Sequence, residues 1–396
     1  MVRKYLQKFN EILYKNRFAY FFLFIISVLL FELTAVGIIK YLLIPLFFFC
    51  YFLYILQSIF LIKRSYFLYL SRLLILIFLI VEIFFAVKNQ NNTIIQFNAK
   101  YFIIGDSIIG WKNAPNAKDE RCTLGIGKDT VYDVYYSTDS LGRRITSNFC
   151  KNPVYHPFTT TKHAIFVGCS FTFGVGLNDT STFPCLYGST HTDYQVYNYG
   201  VGGYGPHQIC LLFDEGINTI NKESVPEDSG FCLYTYIDDH MNRVYGHGGN
   251  VANKYGNPDI FISKNKLIRK MKSAYIYWFL NNSGIKQYFH LNFSYPKTEA
   301  FYKRFADIIN YSAKKYHDIK PHGNFYIGLY PKKECIADTL WIKYLNPDIK
   351  VLFIPPPDDY YENYTSYVIK NDQHPTKKLN LYYINEVSKR IIKDTL

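Results

Sequence analysis

The sequence predicts an α/β fold: a three-layer α/β/α domain with a roughly five-stranded parallel sheet, preceded by three N-terminal transmembrane helices. Beyond Thr161, five short apolar runs (Ala164–Val167, Gln195–Tyr199, Phe231–Ile237, Phe325–Leu329 and Val351–Ile354) are separated by longer, helix-compatible stretches. Strands that are apolar throughout are buried on both faces, and parallel strands joined by helical crossovers achieve that burial. Ahead of them, Phe18–Ile39, Tyr41–Ile62 and Tyr66–Val87 each approach the ~20 residues that cross a ~30 Å hydrocarbon core as a helix. A chain of 396 residues has room for this membrane region and one generous globular domain.

The first quarter sets the topology. Five Lys or Arg precede the first apolar run and Lys63-Arg64 separate the second from the third, whereas Lys40 alone occupies the other loop. Basic flanks stay in the cytoplasm, so three spans that start inside carry everything after about Lys88 to the periplasmic or extracellular side. A cleaved signal peptide has one shorter apolar core, and a buried helical hairpin keeps a polar stripe; neither describes these runs. Residues 1–17 are therefore read as a cytoplasmic basic N-terminus and 18–88 as the spans of a multi-pass protein of a bacterial inner or plasma membrane. The bilayer is its first partner.

Forty-four Lys and Arg against 31 Asp and Glu leave a net charge of +13. Ten of those basic residues and three of the acids stand before Gln90, so about half of the surplus belongs to membrane flanks. What remains is spread over some 300 positions and makes no electrostatic case for nucleic acid.

Residues 89–160 read as a tether, polar from Asn89 to Asn98, followed by a small accessory β region. There Tyr132, Val134 and Tyr136 alternate with Asp133 and Tyr135, and Asp139-Ser140-Leu141-Gly142 offers a turn. Residues 161–396 form the α/β domain, with an inserted helical segment at about 245–322. In the later helix of that segment Phe301, Phe305, Ile308 and Ile309 share a stripe. The earlier couples Lys264, Lys266, Arg269, Lys270 and Lys272 to Tyr275, Tyr277, Trp278 and Phe279, a solvated basic face beside a packed aromatic one, with contact to anionic headgroups or the capping of an active site as the alternatives. Among eight cysteines, Cys122 and Cys150 stand in polar settings and form the best disulfide candidate for an oxidising exterior, while Cys185, Cys210 and Cys232 read as small core residues. No C-x-x-C spacing supports a structural metal site, and no cofactor is expected.

Ligands of a parallel α/β sheet bind at the carboxyl ends of its strands. After the first strand comes Gly168-Cys169-Ser170-Phe171-Thr172-Phe173-Gly174, a turn that exposes a hydroxyl and aims backbone N–H groups near it, as an acyl-transfer nucleophile requires. After the second comes Asn198-Tyr199-Gly200-Val201-Gly202-Gly203-Tyr204-Gly205-Pro206-His207, whose glycines allow close backbone approach to a ligand. The third runs into Asp238-Asp239-His240, and the fifth is followed by Asn371-Asp372-Gln373-His374-Pro375. An acid and a His there supply a general base for Ser170. Gly200, His207 and His240 are candidate substrate contacts. Cys169 as nucleophile, or a metal held by Asp238, Asp239, His240, Asp372 and His374, are the weaker alternatives.

These ordered segments resemble the blocks of the SGNH (GDSL-type) hydrolase superfamily, from about Lys162 onward. The family's first block reads G-D-S-x-x-x-G, and Gly168, Ser170 and Gly174 fit it, with Cys169 in place of the Asp. The resemblance implies Ser170 as nucleophile and oxyanion donor, Gly203 as second donor with Gly200 as fallback, and His374, followed by Pro375, as base. Two departures stand out. Asp238 occupies the position of the family's oxyanion-binding Asn, where a carboxylate repels the developing charge unless it is protonated or another donor such as Asn242 takes over. The acid Asp372 lies two residues before His374, where the family most often has three.

The reading that follows is a membrane-anchored serine esterase that removes a small acyl group from an envelope or extracellular glycan through a seryl-acyl intermediate. Two rivals remain open. One is an O-acyltransferase that passes the acyl group to a surface glycan beside a membrane acyl-transfer partner. The other is a non-catalytic binding or assembly protein that kept the fold.

Overall fold

The structure, a computed structural model, describes residues 81, 84, 95–98, 102–146, 161–214, 220–244, 257–263, 266–272, 297–331 and 339–395. The chain divides into two compact units, one of Met1–Asn92 with Phe279–Asn292 and one of Thr93–Trp278 with Phe293–Leu396. The three expected spans and the tether's first residues lie outside the described residues, Val81 and Phe84 apart. Among the described residues no helix is long and apolar enough to cross a membrane.

The second unit is built on a five-stranded parallel sheet of β6 (Lys162–Gly168), β7 (Tyr194–Gly200), β8 (Ser229–Tyr236), β11 (His322–Leu329) and β12 (Lys350–Phe353), in the order β12-β11-β8-β6-β7. All five expected strands are present, each within two or three residues of its expected limits. Alternation along β6 shows why they are buried on both faces. Ile165 and Val167 enter one core with α3 (Pro206–Leu212) and α5 (Glu299–Ile319), whereas Ala164 and Phe166 enter another with α2 (Phe183–Thr190) and α7 (Lys377–Thr395). Leu379, Tyr383, Val387 and Ile391 recur every fourth residue along α7 and form its buried face. The result is the expected three layers.

The accessory region supplies two antiparallel pieces. β2 (Ile103–Asp106) pairs with β3 (Gly110–Asn113), and β4 (Glu120–Ile126) lies between β1 (Ile95–Asn98) and β5 (Asp129–Tyr136). β1 thus begins inside the segment read as a tether. Tyr132, Val134 and Tyr136 face inward as their alternation requires, and Gly142 N–H donates to Asp139 O in the expected turn. Their core reaches beyond the accessory strands: Phe173 belongs to it, and Val175 and Ile369 pack against it.

One element differs in kind. Of the basic segment predicted as a helix, Lys264, Tyr275, Tyr277, Trp278 and Phe279 lie outside the described residues, and β10 (Lys266–Lys272) forms an antiparallel pair with β9 (Asn257–Ser263). Phe261 and Ile268 face each other across it, and Arg304 of α5 lies 3.9 Å from the Phe261 ring centroid and ion-pairs with Asp259. Docking of Arg304 between the two β9 side chains favours the extended form over helix propensity.

The cysteines also sort by burial. Cys185, Cys210 and Cys232 are buried, as expected. Cys122 is a free thiol beside Tyr132 and Tyr136, pushed up to about 11 by burial; its expected disulfide partner, Cys150, lies outside the described residues.

Candidate active site

In this sheet the first strand of the domain, β6, lies between the second and the third, so the chain leaves β6 at the topological switch point where α/β sheets open a crevice. Ser170 stands there, as the first residue of α1 (Ser170–Phe173), a single helical turn closed by the left-handed Gly174. Its Oγ is buried beside Cys169 Sγ, 3.9 Å away.

Three neighbours fix the turn. Asn198 of β7 donates through Nδ2 to Thr172 O at 3.1 Å and accepts from Gly200 N–H at 2.9 Å. Gly200 packs so closely that a Cβ there would lie 2.2 Å from Phe173 N. That proximity, and the use of its N–H by Asn198, give Gly200 a packing role.

The third neighbour is Arg144, from the accessory region. Its fully buried guanidinium donates to Phe173 O (2.9 Å), Gly174 O (2.6 Å) and Leu177 O, pairs with Asp179 at 2.8 Å, and lies over the Tyr136 and Phe173 rings. The planar fork of Arg suits several carbonyls at once, which a Lys cannot match. Sequence reading passed over Arg144 because it follows an ordinary turn, and over Asn198 although it opens the glycine block.

Among the described residues no group accepts from the backbone N–H of Ser170 or of Gly203. Both remain available to a ligand oxygen. Gly203 has φ +82, a left-handed conformation that glycine adopts without penalty.

His374, the expected base, comes from the loop between α6 (Tyr364–Tyr367) and α7. Val368 and Pro375 form an antiparallel bridge, Ile369 N–H donates to His374 O at 2.8 Å, and Ile369 O accepts from the N–H of Asp372 and Gln373. Within this closed turn Asn371 and Gln373 are left-handed (φ 67 and 66), which brings the side chains of Asp372 and His374 together. His374 Nδ1–H donates to Asp372 Oδ2 at 2.6 Å, leaving Nε2 for a proton from substrate or nucleophile. Its ring packs 5.5 Å from that of Phe171, the residue after Ser170. Ser170 Oγ and His374 are not hydrogen-bonded to each other among the described contacts, and such bonds often tighten only when substrate binds.

The remaining candidates separate. Asp238 is half-buried at the start of α4 (Asp239–Arg243), with the Tyr236 hydroxyl 3.5 Å from its Oδ1. Asp239 is exposed and reaches Arg243 at 3.8 Å. His207 and His240 are buried inside the domain. The His240 ring stacks on Tyr234, whose hydroxyl lies 2.7 Å from Nδ1; burial, Arg243 and His207 hold it neutral, well below the ordinary histidine range. Both histidines are core residues here. Among the described residues no three His, Cys, Asp or Glu side chains converge to hold a metal ion. A cavity of about 430 Å³ along the β7 edge, lined by Arg143, Thr146, Gln195, Tyr197 and Glu223, includes none of Ser170, Asp372 and His374.

No protein-family model matches the sequence, and no curated protein does. Among solved structures the chain is similar to a member of the lipolytic protein G-D-S-L family from Veillonella parvula, at 13% identity over 58% of this chain and 97% of that one, with a TM-score of 0.32. It is similar also to an acetyl xylan esterase from the rumen bacterium Butyrivibrio proteoclasticus (10% identity, 60% of this chain and 64% of that one, TM-score 0.37). A family two carbohydrate esterase from Cellvibrio japonicus matches at 12% identity over 60% of this chain and 62% of that one, with a TM-score of 0.32.

Proposed function

We propose that the chain is a serine esterase of the SGNH type, tethered to a membrane by its N-terminal apolar runs, that removes a small acyl group from a glycan outside the cytoplasm. The observation that carries this reading is the Asp372–His374 pair, seated against Phe171 beside a serine at the switch point. His374 Nε2 takes the Ser170 proton as Oγ attacks the ester carbonyl, and Asp372 holds the imidazole tautomer and stabilises the imidazolium. The N–H groups of Ser170 and Gly203 receive the oxyanion. His374 then protonates the departing sugar hydroxyl, and water repeats the sequence to release the acid. The glycan substrate follows from the expected exterior location.

Full-length protein in detergent tests the reading. It should hydrolyse p-nitrophenyl acetate and be labelled by a fluorophosphonate, and Ser170→Ala and His374→Ala should each remove both signals. Folded wild-type protein that does neither would make this a binding or assembly module. An added glycan that gains acyl groups faster than free acid appears would turn the assignment to O-acyltransferase.

A further inference from the structure

The accessory hairpin reaches the second oxyanion donor through one residue. Trp111, on β3, is fully buried, and its indole N–H donates to Gly202 O at 2.8 Å. The Gly202 carbonyl and the Gly203 N–H belong to the same planar trans peptide and point in opposite directions. Anchoring the carbonyl on the accessory side therefore aims the N–H away from it.

The other side of Gly203 is held as well. Tyr204 Oη–H donates to Trp111 O at 2.6 Å, the two rings meet edge to face at 5.7 Å, and Tyr204 O accepts from Arg243 at 2.7 Å. Asn113, two residues along β3, donates to Gly200 O at 3.2 Å. Gly203 is thus a left-handed joint that would swing freely alone, and Trp111 grips the residues on both sides of it. A peptide whose carbonyl accepts a hydrogen bond is also polarised, which strengthens its N–H as a donor.

We propose that Trp111 is a positioning residue that orients the Gly203 N–H toward the oxyanion, making the accessory region part of the catalytic apparatus. This rests on the esterase reading above. Trp111→Phe keeps an aromatic ring and deletes the donor, and replacement of Trp111 by benzothienylalanine does so with nearly unchanged shape. Removing an oxyanion donor outright costs about 10²–10³ in kcat, so a misaimed one should cost roughly ten- to a hundredfold.

The experiment compares full-length wild type, Ser170→Ala and both position-111 variants in detergent, reading kcat, KM, melting temperature and affinity for a boronic acid that forms a tetrahedral adduct. The expected result is a fall in kcat and an equal loss of boronate affinity, with KM within about twofold, in both variants. A folded isosteric variant with unchanged kcat, or a loss confined to KM, overturns the role of Trp111 while leaving the esterase standing. Wild type no more active than Ser170→Ala overturns both.

Discussion

The two halves of the site are held in contrasting ways. The Ser170 turn is gripped from within, by the guanidinium of Arg144, the amide of Asn198 and a backbone approach that only Gly200 permits. The base loop is held by its own backbone, with two left-handed non-glycine residues and side chains that stay partly open to solvent. On the esterase reading proposed above, the nucleophile must meet fixed oxyanion donors, whereas the base has to follow a proton between nucleophile, leaving group and water. Rigidity is concentrated where geometry must not change.

The largest expected effect comes from breaking the open half. Asp372→Ala should lower kcat by roughly 10³–10⁴ with little change in melting temperature, as steady-state kinetics beside a thermal melt would show; equal loss of both would mean the loop is structural. Arg144→Ala should do the converse, since it strands three buried carbonyls and Asp179. A loss of about 3–5 kcal/mol in urea unfolding is expected, and Arg144→Lys should recover little of it.

Third is a pH effect at the opposite end of β6. His163 donates from Nδ1 to Glu227 O, accepts at Nε2 from Tyr316 and is pushed down to about 4, first by burial. The unfolded chain takes up the proton near pH 6.5 and the fold resists it, so stability is full above that pH and falls as pH drops toward 4. Unfolding measured across this window should lose about 3 kcal/mol, and His163→Phe should flatten the slope. Fourth, Asp238→Asn should raise kcat about tenfold if its carboxylate opposes the oxyanion, worth about 1.4 kcal/mol; a collapse of activity would give the carboxylate a positive role. The smallest change is expected for Gln373→Gly. Relief of its left-handed strain should add about 1 kcal/mol, and a simultaneous fall in kcat would show that the strain holds His374 in place.

The strands were legible because burial on both faces leaves continuous apolar runs, and the order of the proposed site was readable because the residues after strand ends are the first to inspect in such a sheet. Ser170, Gly203, Asp372 and His374 all follow strands or precede α7. The β9–β10 pair was not, since lysines interspersed with Leu267 and Met271 fit a basic helix face as readily as a strand. His207 and His240 look like ligands in the sequence because nothing in it shows the packing that covers them. Arg144 and Trp111 left no trace for a related reason: they act on Phe173, Gly174 and Gly202 carbonyls, which carry no side-chain signature.

The place of α7 along the chain has a consequence for biosynthesis. The accessory strands with Trp111 and Arg144 leave the ribosome before β6 does, so the mould for the nucleophile turn precedes the turn itself. His374 comes three residues before the helix whose Leu379, Tyr383, Val387 and Ile391 cover one face of the sheet. His374 and the covering layer therefore arrive together, and on the esterase reading proposed above a nascent chain gains its power to cleave esters only as its fold closes.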